Sequence, residues 1–189
     1  MKRLLIAILL SLICAANVYA DVKIGGGSAA AGEEIFGYTT EGGTGTGITT
    51  GRVYQLALSS AVTNSGTLTK IEIYSSNTEA ADDIEIGLYK GATYNTATYV
   101  GKKAFSNIGT WSLGWKAFDM TDAALPIVAT SQYWLSVNHS TSPGITFYYN
   151  AVGNFHYKVI TYGNAWPNPY GTDDGGLART YSIRGTVTY

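Results

Sequence analysis

The chain has 189 residues, 46% hydrophobic and 13% charged, with a formal net charge of −1, a length that suits one domain. A charged fraction about half the usual quarter excludes a charge-driven disordered chain. The near-neutral balance argues against nucleic-acid binding, which needs a concentrated basic face to displace counterions from phosphates.

The first twenty residues combine a positive start at Lys2 and Arg3, an apolar run from Leu4 to Ala16, and a small-residue site at Val18-Tyr19-Ala20. That order predicts a secretory signal peptide over 1–20, removed after Ala20. The apolar run falls short of the about 20 residues a membrane span needs, so no transmembrane segment is expected once it is cleaved. Cys14 follows Ile13 rather than the small residue of a lipoprotein signal, and it leaves with the leader. Cleavage would lower the basic count from 12 to ten against 13 acids and leave no cysteine. The remaining protein is expected to be secreted, on the extracellular surface or in a periplasm, and held by packing instead of disulfides.

Residues 21–32 are rich in Gly and Ala and predict a flexible arm. From 33 to 189 the pattern is that of short strands between polar turns. Glu33 to Thr40 is a first strand, carrying Ile35, Phe36 and Tyr38. Arg52 to Ser59 alternates, with Tyr54, Leu56 and Leu58 on one side. Thr67 to Tyr74 turns Ile71 and Ile73 inward and Lys70 and Glu72 outward. Ser75 to Asp83 is a loop, and Ile84 to Leu88 has period two. Tyr99 to Phe105, Trp115 to Met120 and Ile127-Val128 follow. Gln132 to Asn138 faces Tyr133, Leu135 and Val137 one way. Ile145 to Asn150, Phe155 to Thr161 and Arg179 to Tyr189 complete the set. Strands favour such β-branched and aromatic residues, and no window carries a helical stripe. The expected fold class is all-β, an antiparallel two-sheet β-sandwich and specifically a jelly roll.

Gly66-Thr67-Leu68-Thr69-Lys70-Ile71 leading to Tyr74, then Ile86-Gly87-Leu88-Tyr89, Gly114-Trp115 and Tyr133-Trp134-Leu135, resemble the jelly-roll β-sandwich accessory domains of secreted and cell-surface microbial proteins. Many of those look like carbohydrate-binding modules. The resemblance covers roughly Gly37 to Tyr189 and implies a non-catalytic binding or structural domain. It carries over no functional residue.

The chemistry of catalysis is thin in this sequence. His139 and His156 are the histidines, and neither accompanies a nucleophile motif or a zinc-ligand spacing; both read as surface strand residues. No enzymatic activity is expected. Asp173-Asp174 beside Gly175-Gly176 could give carboxylates and inward-turned carbonyls to a structural Ca²⁺, with Asp82-Asp83 as a second place, although Asp and Gly also make ordinary solvated turns. The aromatics are more informative. Trp111, and the segment from Tyr162 to Tyr170 containing Asn164, Trp166 and Asn168, read as loop residues. Aromatic faces suit sugar rings while Asn takes hydroxyls, and rigid scaffolds present binding residues on loops. The competing reading is that Trp166 and Tyr170 close an open end of the sandwich as a plug.

The leading expectation is a secreted module that binds a glycan or other surface polymer through Trp166, Tyr170, Trp111, Asn164 and Asn168. The alternative is a structural subunit of an extracellular coat or filament. Self-association through the arm as an added strand would serve that role.

Overall fold

The computed structural model describes residues 31–140 and 144–189. The leader expected over 1–20, and all of the arm except Ala31 and Gly32, lie outside the described residues. Gly32 already belongs to the sheet system, exchanging both backbone hydrogen bonds with Tyr189.

Among the described residues the strands are β1 (Glu33–Tyr38), β2 (Thr44–Gly47), β3 (Arg52–Leu58), β4 (Gly66–Asn77), β5 (Ile84–Lys90), β6 (Thr98–Phe105), β7 (Trp111–Asp119), β8 (Pro126–Ile127), β9 (Tyr133–His139), β10 (Ile145–Asn150), β11 (Phe155–Val159), β12 (Gly175–Leu177), β13 (Thr180–Tyr181) and β14 (Ile183–Thr188). One sheet runs β1-β14-β4-β10-β13, with β2 on β10 and both β7 and β8 on β4. The other runs β12-β11-β3-β9-β5-β6. Every ladder is antiparallel. The fold is an all-β two-sheet sandwich, compatible with a jelly roll.

Period-two alternation builds the main core between the sheets. Ile71, Ile73, Phe147 and Ile183 from the first sheet meet Tyr54, Leu56, Ile86, Leu135 and Val137 from the second. Gly37 sits inside β1 at φ 102, and a Cβ there would collide with Leu135 Cδ1 and the Ile183 carbonyl. Only glycine combines that backbone with that approach.

Several elements depart from the alternation. A bulge in β3 between Gln55 and Ala57 inserts one residue, so Leu56 and Ala57 both join the inner core while Leu58 turns to the outer face. A bulge reverses the faces of everything after it. The glycine-rich Thr44–Gly47 forms β2 on β10, although four Thr and Gly residues carry no strand signal. The strand expected over 179–189 breaks at Ser182 into β13 and β14, which pair with β10 and β14's partners β1 and β4 respectively. The segment 75–77 extends β4 instead of starting a loop, with Ser75 and Asn77 buried.

β3, β5 and β9 are covered on both faces. A second apolar cluster of Val53, Tyr89, Ala97, Trp134, Trp166 and Tyr170 lies on the outer face of the six-stranded sheet. The connection between β11 and β12, residues 160–174, lies across that face as a strap. No helix among the described residues is long and apolar enough to cross a membrane.

Candidate functional site

The strap holds four of the residues expected to bind a ligand, and its anchoring decides what they can do. Trp166 is 4% exposed and Tyr170 is fully buried. Trp166 lies parallel to Tyr89, ring centroids 6.1 Å apart, and its Nε1 donates to Glu85 Oε2 at 3.0 Å. Tyr170 meets Tyr89 edge-on at 5.2 Å and donates its O–H to the Val53 carbonyl at 3.0 Å. Neither ring presents a face to solvent, which corrects the expectation of a loop platform. The plug reading is nearer, although the rings close a sheet face and not an open end.

The exposed asparagines of the strap also serve its attachment. The Asn168 carboxamide oxygen accepts the Tyr99 N–H, and the Asn164 carbonyl accepts from Lys102 Nζ at 2.9 Å. Further bonds run from Tyr170 N to the Ala97 carbonyl and from Gly171 N to the Asn95 carbonyl. Trp111 lies in β7, not in a loop; its Nε1 donates to the Ser75 carbonyl at 3.1 Å and its ring packs on the main core.

Asp173 and Asp174 part company. Asp173 accepts from His156 Nδ1 at 2.7 Å. Asp174 accepts the Val159 N–H at 2.7 Å, and the glycines after it form β12 on β11. The paired carboxylates expected to cradle calcium therefore face different protein donors. Among the described residues no group of three or more His, Cys, Asp or Glu gathers to hold a metal.

Burial also sets the proton affinities around the strap. It pushes the Tyr89 and Tyr170 hydroxyls far above the ordinary phenol range, with neighbouring phenols adding to the effect. Tyr162 is raised to about 12, by burial first and then by Asp83, Glu85 and Asp82. Glu85, 3% exposed, is held by the ammonium of Lys102 on one oxygen and by Trp166 on the other.

A more open aromatic site lies beside the strap. A cleft of about 470 Å³ is lined chiefly by Tyr38, Leu58, Tyr94, Trp134, Asn154 and His156, with smaller residues between them. Trp134 and Leu58 reach it from the ends of β9 and β3, and Tyr94 from a single 3-10 turn at Tyr94–Thr96. Asn154 follows Gly153, whose φ of 76 makes the turn from β10 into β11. Tyr94 stacks on the His156 imidazole with centroids 3.6 Å apart and planes 12° from parallel. Trp134 meets that imidazole edge-on at 5.6 Å. The Asp173 carboxylate fixes the ring through Nδ1, and Trp134 Nε1 is buried with no hydrogen-bond partner among the described residues. Trp134 is only 5% exposed and backs the stack, so the accessible wall is Tyr94 on His156 beside Asn and Thr polar groups, a composition able to hold a ring with an apolar face and hydroxyl edges.

Neither histidine is the plain surface residue its sequence context suggests. His156 is the centre of this stack, and His139 is fully buried, its Nε2 bonded to the Ile48 carbonyl at 2.8 Å. Tyr38, Tyr94 and His156 were not legible as neighbours, since they come from β1, the 3-10 turn and β11, which only the folded chain brings to one cleft.

Compared with known proteins, the chain matches no family model, and neither a curated protein nor a solved structure matches it.

Proposed function

We propose that this protein is a non-catalytic recognition module for a glycan or other surface polymer, and that it binds through the cleft at Tyr94, Trp134 and His156. The carrying observation is the stack of Tyr94 on His156 beside Trp134, with Asn154, Thr93 and Thr180 around the same space. Sugars offer C–H faces to aromatic rings and hydroxyls to amides and imidazole, and sites of this volume range suit small ligands. The Asp173 carboxylate fixes the His156 ring through Nδ1, which leaves Nε2 as the nitrogen that can meet a ligand hydroxyl. The non-catalytic reading rests instead on the lack, among the described residues, of a hydroxyl hydrogen-bonded to that ring. Export of the protein rests on the charged, apolar and small-residue order of residues 1–20.

The test is a glycan array with the purified protein beside a Tyr94→Ala, Asn154→Ala double variant whose thermal midpoint is checked first. Retained fold with binding lost on the array is the expected outcome. Equal binding by both proteins would remove the cleft from consideration, and hydrolysis of any bound glycan would end the non-catalytic reading.

A structural subunit of a coat or filament is the second reading. It draws on β1 and β7, which each pair with one neighbour among the described residues, and on Ile35 and Leu113, exposed on those two edge strands. Unpaired strand edges are templates for another chain. Light scattering across a concentration series decides it: a monomer at every concentration would count against assembly.

A further inference from the structure

On the other side of β11 from His156, where the two sheets part along their edges, a second cleft of about 320 Å³ is walled by Tyr54, Phe155, Tyr157 and Tyr181. Two arginines line it, Arg52 at the start of β3 and Arg179 just before β13. Four other basic side chains have carboxylate partners. Arg184 and Lys70 meet Glu72, Lys102 meets Glu85, and Lys103 meets Asp122. Among the described residues neither Arg52 nor Arg179 makes a salt bridge, and no carboxylate lines the cleft.

Both guanidinium groups are nonetheless positioned. The Arg52 guanidinium carbon lies 4.2 Å from the Tyr157 ring centroid, and that of Arg179 lies 4.3 Å from the Tyr149 centroid. A guanidinium stacked on a ring has its face covered, while its N–H donors lie in its plane along the edge. Arg179 gives one of them to the Tyr181 hydroxyl, and its fork carries others. Stacking also holds the fork before a ligand arrives, so less conformational freedom is lost on binding. Tyr54 adds a hydroxyl on the same wall: its oxygen accepts the Thr49 N–H at 2.9 Å, which leaves its own proton to donate. Two cations lining one cleft that holds no carboxylate give an anion there a favourable field.

We propose that this cleft binds the oxyanion of an acidic sugar, a carboxylate or a sulfate carried on a pyranose ring, through the paired forks of Arg52 and Arg179. The tyrosine walls take the ring, and the volume, at the small end of ligand sites, suits one charged residue of a polymer. The sugar identity rests on the glycan reading above. The oxyanion does not, because it follows from the arginines alone, and the two clefts share no lining residue.

Isothermal titration calorimetry of the purified protein tests this with four probes: glucuronate, glucose 6-sulfate, glucose and inorganic sulfate. The two acidic sugars should bind with an affinity that falls as salt is raised, and glucose should not bind in this cleft. Arg52→Gln and Arg179→Gln should each weaken the acidic sugars at least tenfold, whereas Tyr94→Ala leaves them unchanged. Arg52→Lys and Arg179→Lys keep the charge but lose the fork, so they should fall between, and they guard against a fold defect in the glutamine variants. Failure of both acidic sugars to bind, or equal binding by the glutamine variants, overturns the site. Inorganic sulfate bound as tightly as either acidic sugar overturns the sugar-borne oxyanion, since the aromatic walls would then add nothing. Neutral-glycan binding that is lost only in Tyr94→Ala belongs to the first cleft, so failure of one reading is distinguishable from failure of the other.

Discussion

Trp166 joins apolar burial to a polar duty within one side chain. Its ring covers Tyr89, its Nε1 satisfies Glu85, and the Lys102 ammonium lies 5.5 Å from its centroid. Truncating a buried indole costs about 3–5 kcal/mol, and Trp166→Ala would also leave one oxygen of a buried carboxylate without its donor. Denaturant titration of this variant should therefore show a stability loss in or above that range. A loss under about 1 kcal/mol would mean that the strap is not packed as described. Trp111 offers the contrast. It too is a tryptophan with a hydrogen-bonded Nε1, but it belongs to an edge strand. The sequence around it, Gly109-Thr110-Trp111-Ser112, resembles a turn because strand membership there is imposed by Ser75 and Asn77 of β4.

At the scale of the element, the strap turns an ordinary sheet face into a second interior. β9 is buried at every position from Tyr133 to His139, and β5 hides Glu85 under Trp166. Period-two patterning in Ile84-Glu85-Ile86-Gly87-Leu88 correctly assigns the inner face. It says nothing about the outer one, because polar Glu85 is the usual mark of solvent exposure and here marks an ion pair under a cover. The raised tyrosines give this layer a measurable signature. A phenol whose folded pKa lies above its unfolded value of about 10 contributes stability that is fully present below that pH and lost as pH rises toward the folded value. Burial is the leading cause at both Tyr89 and Tyr170. Absorbance at the tyrosinate band should accordingly show exposed tyrosines ionising first and these two only with unfolding, followed in parallel by circular dichroism. If every tyrosine titrates near pH 10 while the fold persists, the outer layer is open to water.

For the whole molecule, the sandwich was legible because its evidence is distributed: alternation in β4, β9 and β14, polar turns between runs, and no helical stripe. The breaks were not legible, since the bulge that turns Leu58 outward and the split at Ser182 depend on partner strands distant in sequence. The site was least legible of all. Asn164, Trp166, Asn168 and Tyr170 form a plausible binding loop by composition, yet composition is the same for a ligand's seat and for a strap that fills the seat itself. Acid stability is also a property of the whole molecule. Burial works against the Glu72 charge, but Arg184 and Lys70 outweigh it and hold the carboxyl below its ordinary range. Glu34 is likewise lowered, with the Thr63 and Asn64 N–H groups overcoming burial. Depressed carboxyls contribute stability that is present above the unfolded pKa and disappears as pH falls through the folded one. The thermal midpoint should thus hold steady near neutrality and decline below about pH 4, with a shallower decline in Arg184→Gln. An identical acid slope in that variant would show that the Glu72 pair contributes nothing.

The many tethers of residues 160–174 have one more consequence. Were the strap to peel away, it would bare Tyr89, Trp134 and Val53 on the six-stranded sheet, a broad greasy plane of the kind through which unrelated chains adhere. The bonds from Lys102, Tyr99, Ala97 and Asn95 to the strap therefore act as a safeguard of solubility. Variants that loosen them should clump during expression before they lose their strand content.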